Sequence, residues 1–245
     1  MSNGYLNEFA FCQVINKKYV CQLSEKYIEV LERLFGKNLY PGSTIYCWKA
    51  GRTEKADIVI RIGQVRKYIS IKSGKNNSIH VETLEQFFEF LKSKGCSEEL
   101  LNIYKEYHYG FNEKGERISG KEYQELHQEE LAKLNEFLNQ DEMLESIFPR
   151  FLLIGNSPDA NQVDGFIYGT PNNFMFAKSE QLKHYLFSQK DDITAPHFCS
   201  LILQPWARNL NYNPQYEYRR KFVQVKWYRL EEVFENLEKL HNIYK

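Results

Sequence analysis

Residues 55–90 contain the side chains that hydrolysis of a phosphodiester requires. Asp57 opens a run of β-branched residues, Ser70 and Lys72 end a second run, and Glu82 and Glu85 follow. The reaction needs an activated water, neutralisation of charge on the phosphate and help for the leaving oxygen, and Mg²⁺ held by carboxylates supplies most of this. A nearby lysine stabilises the phosphate and positions or deprotonates the water. These residue types indicate a Mg²⁺-dependent nuclease.

The elements that must position these residues are a hairpin and a helix. Residues 56–62 and 67–72 are rich in β-branched side chains, and Gly63-Gln64 between them predicts a turn. Asp57 and Lys72 would then lie at the ends of paired strands, with the Ile71 carbonyl as a further candidate metal ligand. Residues 73–78 favour a loop, and residues 81–94 have helical spacing that places Glu82 and Glu85 on one side.

The rest of the chain predicts an α/β (α+β) fold with a mixed central sheet flanked by helices. Helices are predicted at 6–14, 24–36, 179–187 and 230–244, with a charged helical insertion at 97–149. Strands are predicted at 43–48, 151–155, 163–169, 174–176, 200–204 and 222–228. No internal repeat or composition shift marks a linker. We therefore interpret residues 1–245 as a single domain built around one sheet.

The central stretch resembles the PD-(D/E)XK nuclease superfamily, to which many type II restriction endonucleases belong. Lys55-Ala56-Asp57 takes the place of the Pro-Asp element, so Asp57 matches the first metal-binding acid, and Lys72 matches the lysine. Ser70 stands where the second acid normally lies. A subgroup of restriction enzymes has the same exchange, S-x-K followed by twelve or thirteen residues and a glutamate. Ser70-Ile71-Lys72, twelve residues and Glu85 reproduce this pattern.

The resemblance implies a restriction-endonuclease-like core and a specific set of roles. It implies that Asp57 and Glu85 hold Mg²⁺ together with the Ile71 carbonyl, that Lys72 acts on water and phosphate, and that Ser70 supports the site. Glu82, one helical turn before Glu85, is the alternative second ligand. The implied protein is a type II restriction endonuclease that cuts double-stranded DNA. A homodimer would match a palindromic target, and a cognate methyltransferase is a possible partner.

Two other functions remain open from the sequence. The first is a repair or defence nuclease without sequence specificity, built on the same core. The second is a DNA-binding protein without catalytic activity. Discrete fragments from plasmid DNA would exclude the former, and loss of activity on substituting Asp57 would exclude the latter.

Basic and aromatic residues in the last quarter of the chain predict a nucleic-acid surface. Residues 208–229 contain six Lys or Arg against Glu217 alone, although the net charge of the chain is zero. Arginine and asparagine suit bidentate contacts with base edges, and lysine and arginine suit phosphates. We therefore predict that residues 150–245 complete the core and carry recognition elements. The predicted DNA-binding residues are Lys75, Asn76, Asn77, Arg208, Asn209, Asn211, Arg219, Arg220 and Lys221.

Rival sites in the sequence are less complete. Glu8 on the first predicted helix is a further candidate metal ligand. Pro158-Asp159, Asp164 and Lys178 form a literal Pro-Asp and a later lysine, but no acid stands two positions before that lysine. The six histidines show no paired metal spacing, which disfavours a zinc site.

Cysteine usage and hydropathy indicate the cellular compartment in which we expect the protein. The five cysteines are odd in number, widely spaced and without a C-x-x-C pair, which favours reduced thiols. No apolar run approaches a membrane span, and the N-terminus lacks a basic-then-apolar signal. We expect a cytoplasmic protein without a membrane partner.

Overall fold

The chain divides into two compact units. Each unit contains a sheet of its own. The computed structural model describes residues 3–74, 78–111, 114–155, 157, 159–189, 192–206 and 214–243. The first unit comprises Met1–Asn77, Leu152–Tyr185 and Arg229–Lys245, and the second comprises Ser78–Phe151 and Leu186–Tyr228. The sequence predicted one sheet, so the second sheet is a correction.

The described strands, in chain order, are β1 Lys18–Tyr19, β2 Thr44–Lys49, β3 Ile58–Ile62, β4 Val65–Lys72, β5 Ser78–Thr83, β6 Gly165–Thr170, β7 Asn173–Lys178, β8 His197–Phe198, β9 Leu201–Pro205 and β10 Phe222–Trp227. The first unit holds a six-stranded sheet in the order β1-β2-β3-β4-β6-β7. Only its β4–β6 pair is parallel, so the sheet is mixed. The second unit holds an antiparallel sheet in the order β5-β10-β9-β8.

The described helices are α1 Asn3–Ile15, α2 Glu25–Phe35, α3 Leu84–Ser93, α4 Glu98–Tyr109, α5 Gly120–Leu126, α6 Gln128–Leu138, α7 Asp141–Phe148, α8 Ser179–Ser188 and α9 Leu230–Ile243. They confirm the predicted mixed fold class. The predicted helical stretch at 97–149 contains α4 to α7, while the proposed domain boundaries stay a prediction. None of the described helices is long and apolar enough to cross a membrane.

The core of the first unit explains why its sheet has two chemically different faces. Phe11 of α1 and Leu31 of α2 belong to the same buried cluster as Ile69 and Ile71 of β4. Because successive side chains of a strand point to opposite faces, Ser70 and Lys72 lie on the face away from that cluster. One face of β4 is therefore committed to packing, and the other carries the polar residues.

The predicted hairpin is confirmed by the β3–β4 pairing. Ile58 pairs with Ile69 and Ile62 with Val65, which leaves Gly63-Gln64 as a two-residue turn. Gly63 has φ +59, the conformation that a type II′ turn requires at its first central residue. The turn fixes the register, and the register decides which residues of β4 stand beside the start of β3.

Two predicted elements are wrong. Residues 81–83 were predicted as the start of a helix, but they end strand β5, which pairs with β10 about 140 residues later. The helix begins only at Leu84, where the Thr83 hydroxyl accepts a hydrogen bond from the Gln86 amide at 3.2 Å. Residues 151–155 were predicted as a strand, but residues Pro149–Ile154 continue α7 as a π-helix. A short buried apolar run does not distinguish strand from helix.

Gly169 provides a test of the β6–β7 pairing. Its φ is +125, and an added Cβ would lie 2.3 Å from the Asn173 carbonyl oxygen. We expect Gly169→Ala to destabilise the protein by about 3 kcal/mol or more, because backbone strain and a steric clash act together. Gly63→Ala is the control, since Gly63 also has a positive φ but open space around it, and it should cost about 1 kcal/mol. Urea unfolding measures both, and equal losses would contradict this interpretation.

Candidate functional site

Asp57 is anchored at the entrance of β3 by backbone hydrogen bonds to both neighbouring strands. Its amide donates to the Ile69 carbonyl of β4 at 2.8 Å, and its carbonyl accepts from the Ala50 amide, just after β2, at 3.0 Å. The backbone at Asp57 is thus tied on two sides. A rigid sheet positions a functional side chain better than a loop does.

The carboxylate of Asp57 is oriented by residues at the end of β4. Its Oδ2 accepts hydrogen bonds from the Ser70 hydroxyl at 3.0 Å and from the Ile71 amide at 2.6 Å. Lys72 Nζ lies 3.8 Å from the same oxygen. The structure therefore brings together four of the predicted site residues, Asp57, Ser70, Ile71 and Lys72.

The Ile71 carbonyl faces the same side of β4 as the Asp57 carboxylate. The amide and carbonyl of one residue in a strand point to the same neighbouring strand, and the Ile71 amide points to Asp57. The Tyr68 carbonyl accepts from the Asp164 amide next to β6, so by alternation the backbone groups of Ser70 and Lys72 point toward β6. The Ile71 carbonyl and the Asp57 carboxylate consequently both lie on the side of β4 that faces β3.

Lys55 adds a second lysine to the group. Burial and the positive charge of Lys72 lower the pKa of Lys55 to about 7, although Asp57 acts in the opposite direction. The aliphatic part of Lys55 passes close to Gly155, where an added Cβ would lie 3.4 Å from the Lys55 Cδ atom. We did not predict Lys55 as a site residue. The signal in the sequence was its position two residues before Asp57.

These donors fit a hard cation with a largely aqueous coordination shell. Among the residues that the structure describes, no group of three or more His, Cys, Asp or Glu side chains is placed to hold a metal ion. Mg²⁺ needs no such group, because it keeps several waters and is often held by one or two carboxylates. Asp57 and the Ile71 carbonyl supply oxygen donors of this kind within the first unit.

Glu82 occupies a buried ion pair in the second unit. Its carboxylate accepts a hydrogen bond from the Arg150 Nε at 3.4 Å and forms a close ion pair with the other end of that guanidinium. His80 Nε2 lies 3.6 Å from it. Burial alone would raise the pKa of Glu82, but His80 and Arg150 together lower it. The carboxylate is therefore engaged within its own unit.

Glu85 lies in the first turn of α3, also in the second unit, and is exposed. With Glu89, Lys105 and Lys221 it lines an open cavity of about 530 Å³. Its predicted role as a metal ligand with Asp57 stays a prediction, because the two residues belong to different units.

The rival sites have structural partners. Glu8 forms a close ion pair with Lys49 of β2. Asp164 accepts from Lys67 Nζ at 2.7 Å and from the Tyr68 amide at 2.8 Å, and so joins the start of β6 to β4. Pro158 lies outside the described residues. Asp164 and Lys178 line a small cavity of about 240 Å³. The lysine that pairs with Asp164 there is Lys67 and not Lys178.

The predicted DNA-binding residues are only partly described. Lys75, Asn76, Asn77, Arg208, Asn209 and Asn211 lie outside the described residues. The Arg219 guanidinium lies 4.9 Å from the Trp206 ring centroid and 5.0 Å from that of Tyr216. Arg220 is buried and donates to the Tyr109 carbonyl, so it is not presented at the surface. Lys221 is exposed.

A comparison with solved structures identifies the fold. The chain is similar to the crystal structure of restriction endonuclease MspI in complex with its cognate DNA, with a TM-score of 0.54 and 13% sequence identity. The similarity covers 83% of this chain and 78% of that chain. No family model matches the sequence, and no curated protein shows a significant match. The predicted restriction-endonuclease-like fold is confirmed.

The lowered pKa of Glu82 predicts a pH-dependent stability. The folded pKa lies below its ordinary value of 4.5, so the ion pair stabilises the protein above that pH and is lost as the pH falls through the folded pKa. At pH 7, Glu82→Gln should cost about 3 kcal/mol, because it leaves the Arg150 charge unpaired. The difference from wild type should shrink below pH 4.5.

Thermal unfolding across this pH range is the measurement. Glu89→Gln is the control, since Glu89 is exposed, and it should change stability little at any pH. A cost for Glu82→Gln that is independent of pH would contradict the ion-pair interpretation.

Proposed function

We propose that this protein, which has the fold of a restriction endonuclease, is a Mg²⁺-dependent endonuclease that hydrolyses phosphodiester bonds of double-stranded DNA at a specific sequence. The single observation that carries the proposal is the hydrogen-bonded arrangement of Asp57, Ser70, Ile71 and Lys72 at the ends of β3 and β4. The structural neighbour was crystallised with DNA, which supports DNA as the substrate of a similar fold.

In the proposed reaction Asp57 and the Ile71 carbonyl would hold the cation. Bound Mg²⁺ would supply charge neutralisation on the phosphate and a more acidic water. Lys72 places its ammonium beside Asp57, where it donates hydrogen bonds to a non-bridging phosphate oxygen and stabilises charge that develops there. Lys55, with its lowered pKa, is a neighbouring group that loses its proton more readily than an ordinary lysine.

Ser70 is proposed to orient Asp57 and not to bind metal. Its hydroxyl donates to Asp57 Oδ2, the oxygen that also receives the Ile71 amide. Both donors act on one oxygen, which directs the other carboxylate oxygen to a cation. A serine in place of an acid also removes one ligand, and we propose that Glu85 replaces it. Glu82 is the weaker candidate because Arg150 already neutralises it.

The remaining parts of the proposal concern DNA and the protein partners. Arg219 and Lys221, with the undescribed Lys75, Asn76, Asn77, Arg208, Asn209 and Asn211, are proposed to contact DNA. A palindromic target would be met by a homodimer, since a two-fold DNA site mirrors a two-fold protein. A methyltransferase of the same specificity and a cytoplasmic location belong to this proposal.

Cleavage by variants tests the catalytic assignment. We expect Asp57→Ala and Lys72→Ala to lower the single-turnover cleavage rate of plasmid DNA in Mg²⁺ by about a hundredfold or more, as loss of a group that stabilises transition-state charge does. Ser70→Ala should lower it less, by about tenfold, because it removes one orienting hydrogen bond of about 1.4 kcal/mol.

Lys67→Ala is the matched control, because Lys67 is a lysine of the same strand that pairs with an aspartate, Asp164. It should cleave at the wild-type rate. Equal loss of activity in Lys67→Ala and Lys72→Ala would contradict the assignment, as would wild-type activity of Asp57→Ala. A smear in place of discrete fragments would favour a nuclease without sequence specificity.

The second metal ligand is tested by Mg²⁺ titration of the cleavage rate. Glu85→Gln should raise the Mg²⁺ concentration for half-maximal cleavage by about tenfold or more, since mutation of even the residues that orient metal ligands costs about 10–100-fold in affinity. Glu89→Gln is the matched control, because Glu89 lies one turn later on α3 and lines the same cavity. Identical titrations of Glu85→Gln and wild type would exclude Glu85 as a ligand.

A further inference from the structure

A patch of arginine and aromatic side chains lies on the face of the first sheet that carries Ser70 and Lys72. Tyr46 and Trp48 alternate with the buried Ile45 and Cys47 along β2, and each is 38% exposed. Arg61 of β3 and Arg66 of β4 complete the patch, which we name the arginine–aromatic surface. Tyr46 pairs with Arg61 and Arg61 pairs with Arg66, so the three stand in one row across the strands.

The two arginines, Arg61 and Arg66, stand directly opposite each other in the β3–β4 pair. Like charges at paired positions of a sheet are destabilising. Among the described residues, no carboxylate lies within ion-pair distance of either guanidinium, whereas the neighbouring Lys67 has Asp164. Arg61 Nε is buried and has no hydrogen-bond partner in the described part of the chain. Two adjacent unpaired cations of this kind favour an anion.

The aromatic rings hold both guanidinium groups in place. The Arg61 guanidinium lies 4.5 Å from the Tyr46 ring centroid. That of Arg66 reaches across β3 to lie 5.9 Å from the Trp48 ring centroid. A ring face accepts no conventional hydrogen bond from the in-plane N–H groups, so the rings do not satisfy the donors of the guanidinium groups. Stacking also lowers the entropy lost when an arginine binds a planar or tetrahedral oxyanion.

The same sheet face leads to the candidate nuclease centre. Along β4, Arg66, Tyr68, Ser70 and Lys72 alternate with side chains that point to the other face. Along β3, Arg61 is four residues from Asp57, about 13 Å at the rise of a strand. A DNA strand winds around the duplex axis while it rises about 3.4 Å per nucleotide, so a straight distance of about 13 Å spans only about two nucleotides of one strand. The spacing fits a single strand that passes from one place to the other.

We propose that the arginine–aromatic surface binds the phosphates of the DNA strand that flanks the phosphodiester to be cut. Arg61 and Arg66 contact consecutive phosphates a few nucleotides from the Asp57 site, and Tyr46 and Trp48 hold the two guanidinium groups. The contacts carry no base information, so they position the strand and add affinity for any sequence. This assignment rests on the proposed function, because it takes the ligand to be the substrate of the Asp57 site.

Binding of duplex DNA without cleavage is the test. The affinity of the full chain for a fluorescent duplex is measured by anisotropy in EDTA, across a range of salt concentrations. Arg61→Gln and Arg66→Gln should each weaken binding about fivefold, and the double variant about twentyfold or more. The slope of log affinity against log salt should become shallower by about 1.8 in the double variant, since each phosphate contact contributes about 0.9.

Arg33→Gln is the matched control. Arg33 also lies over an aromatic ring, 4.7 Å from the Phe176 ring centroid, but Phe176 belongs to the cluster on the other face of the sheet. It should bind DNA as wild type does. Trp48 gives a second readout in a Trp206→Phe background, because Trp227 is fully buried. Its fluorescence should change on addition of duplex, and this change should be lost in the double arginine variant.

The outcomes separate the two proposals. Binding that weakens as predicted, in a protein that never cleaves DNA, would keep the phosphate contacts of Arg61 and Arg66 and overturn both the nuclease assignment and the placement of these contacts beside a scissile bond. Mg²⁺-dependent cleavage with an unchanged affinity and salt slope in the double variant would overturn this surface and keep the nuclease assignment. Absence of duplex binding by the wild-type protein, or the same loss in Arg33→Gln, would also overturn it.

Discussion

The hydrogen bonds that Asp57 Oδ2 accepts from Ser70 and Ile71 are the constraint on which the candidate site depends. They exist only because the β3–β4 register places the start of β3 beside the end of β4, and the two-residue turn at Gly63 sets that register. A shift of one residue would exchange the faces of β4. Lys72 would then point into the apolar cluster, and Ile71 would point away from it.

The division of β4 into two faces also explains how one short strand serves both stability and chemistry. Ile69 and Ile71 are buried with the helices of the first unit, while Ser70 and Lys72 carry the polar groups. Ile71 contributes to both, because its side chain packs and its amide orients Asp57. The same face extends to Arg66, so the proposed catalytic group and the proposed phosphate-binding surface share a single rigid support.

The charges of Lys55, Asp57 and Lys72 affect one another because the three residues lie close together. Two lysines beside one aspartate give an excess of positive charge, and the charge of Lys72, added to burial, is what lowers the pKa of Lys55. The negative charge of a phosphodiester would offset this excess of positive charge, whereas a cation bound at Asp57 would add to it. In the second unit, by contrast, the buried carboxylate of Glu82 is neutralised by Arg150.

Local patterns predicted much of the fold, and the failures came from distant contacts and from one short apolar run, residues 151–155, whose period is ambiguous. The β3–β4 hairpin was predictable because β-branched runs and a glycine turn lie within twenty residues of each other. Strand β5 was missed because its partner β10 is far along the chain. Without that pairing, the local spacing placed Glu82 in the following helix. The cluster of Asp57, Ser70, Ile71 and Lys72 was predictable from strand alternation. The Arg150 partner of Glu82 was not, since no spacing rule connects residues 82 and 150.

Iron-mediated cleavage of the protein backbone tests the central claim most directly, because it locates the metal without relying on DNA cleavage. Fe²⁺ occupies oxygen-rich sites in place of Mg²⁺, and with ascorbate and peroxide it generates radicals that cut the nearby chain. Wild-type protein should be cut beside residues 57 and 71, Mg²⁺ should compete, and Asp57→Ala should abolish these cuts while Lys67→Ala retains them. Cuts confined to other parts of the chain, or cuts that persist in Asp57→Ala, would contradict a metal centre at Asp57.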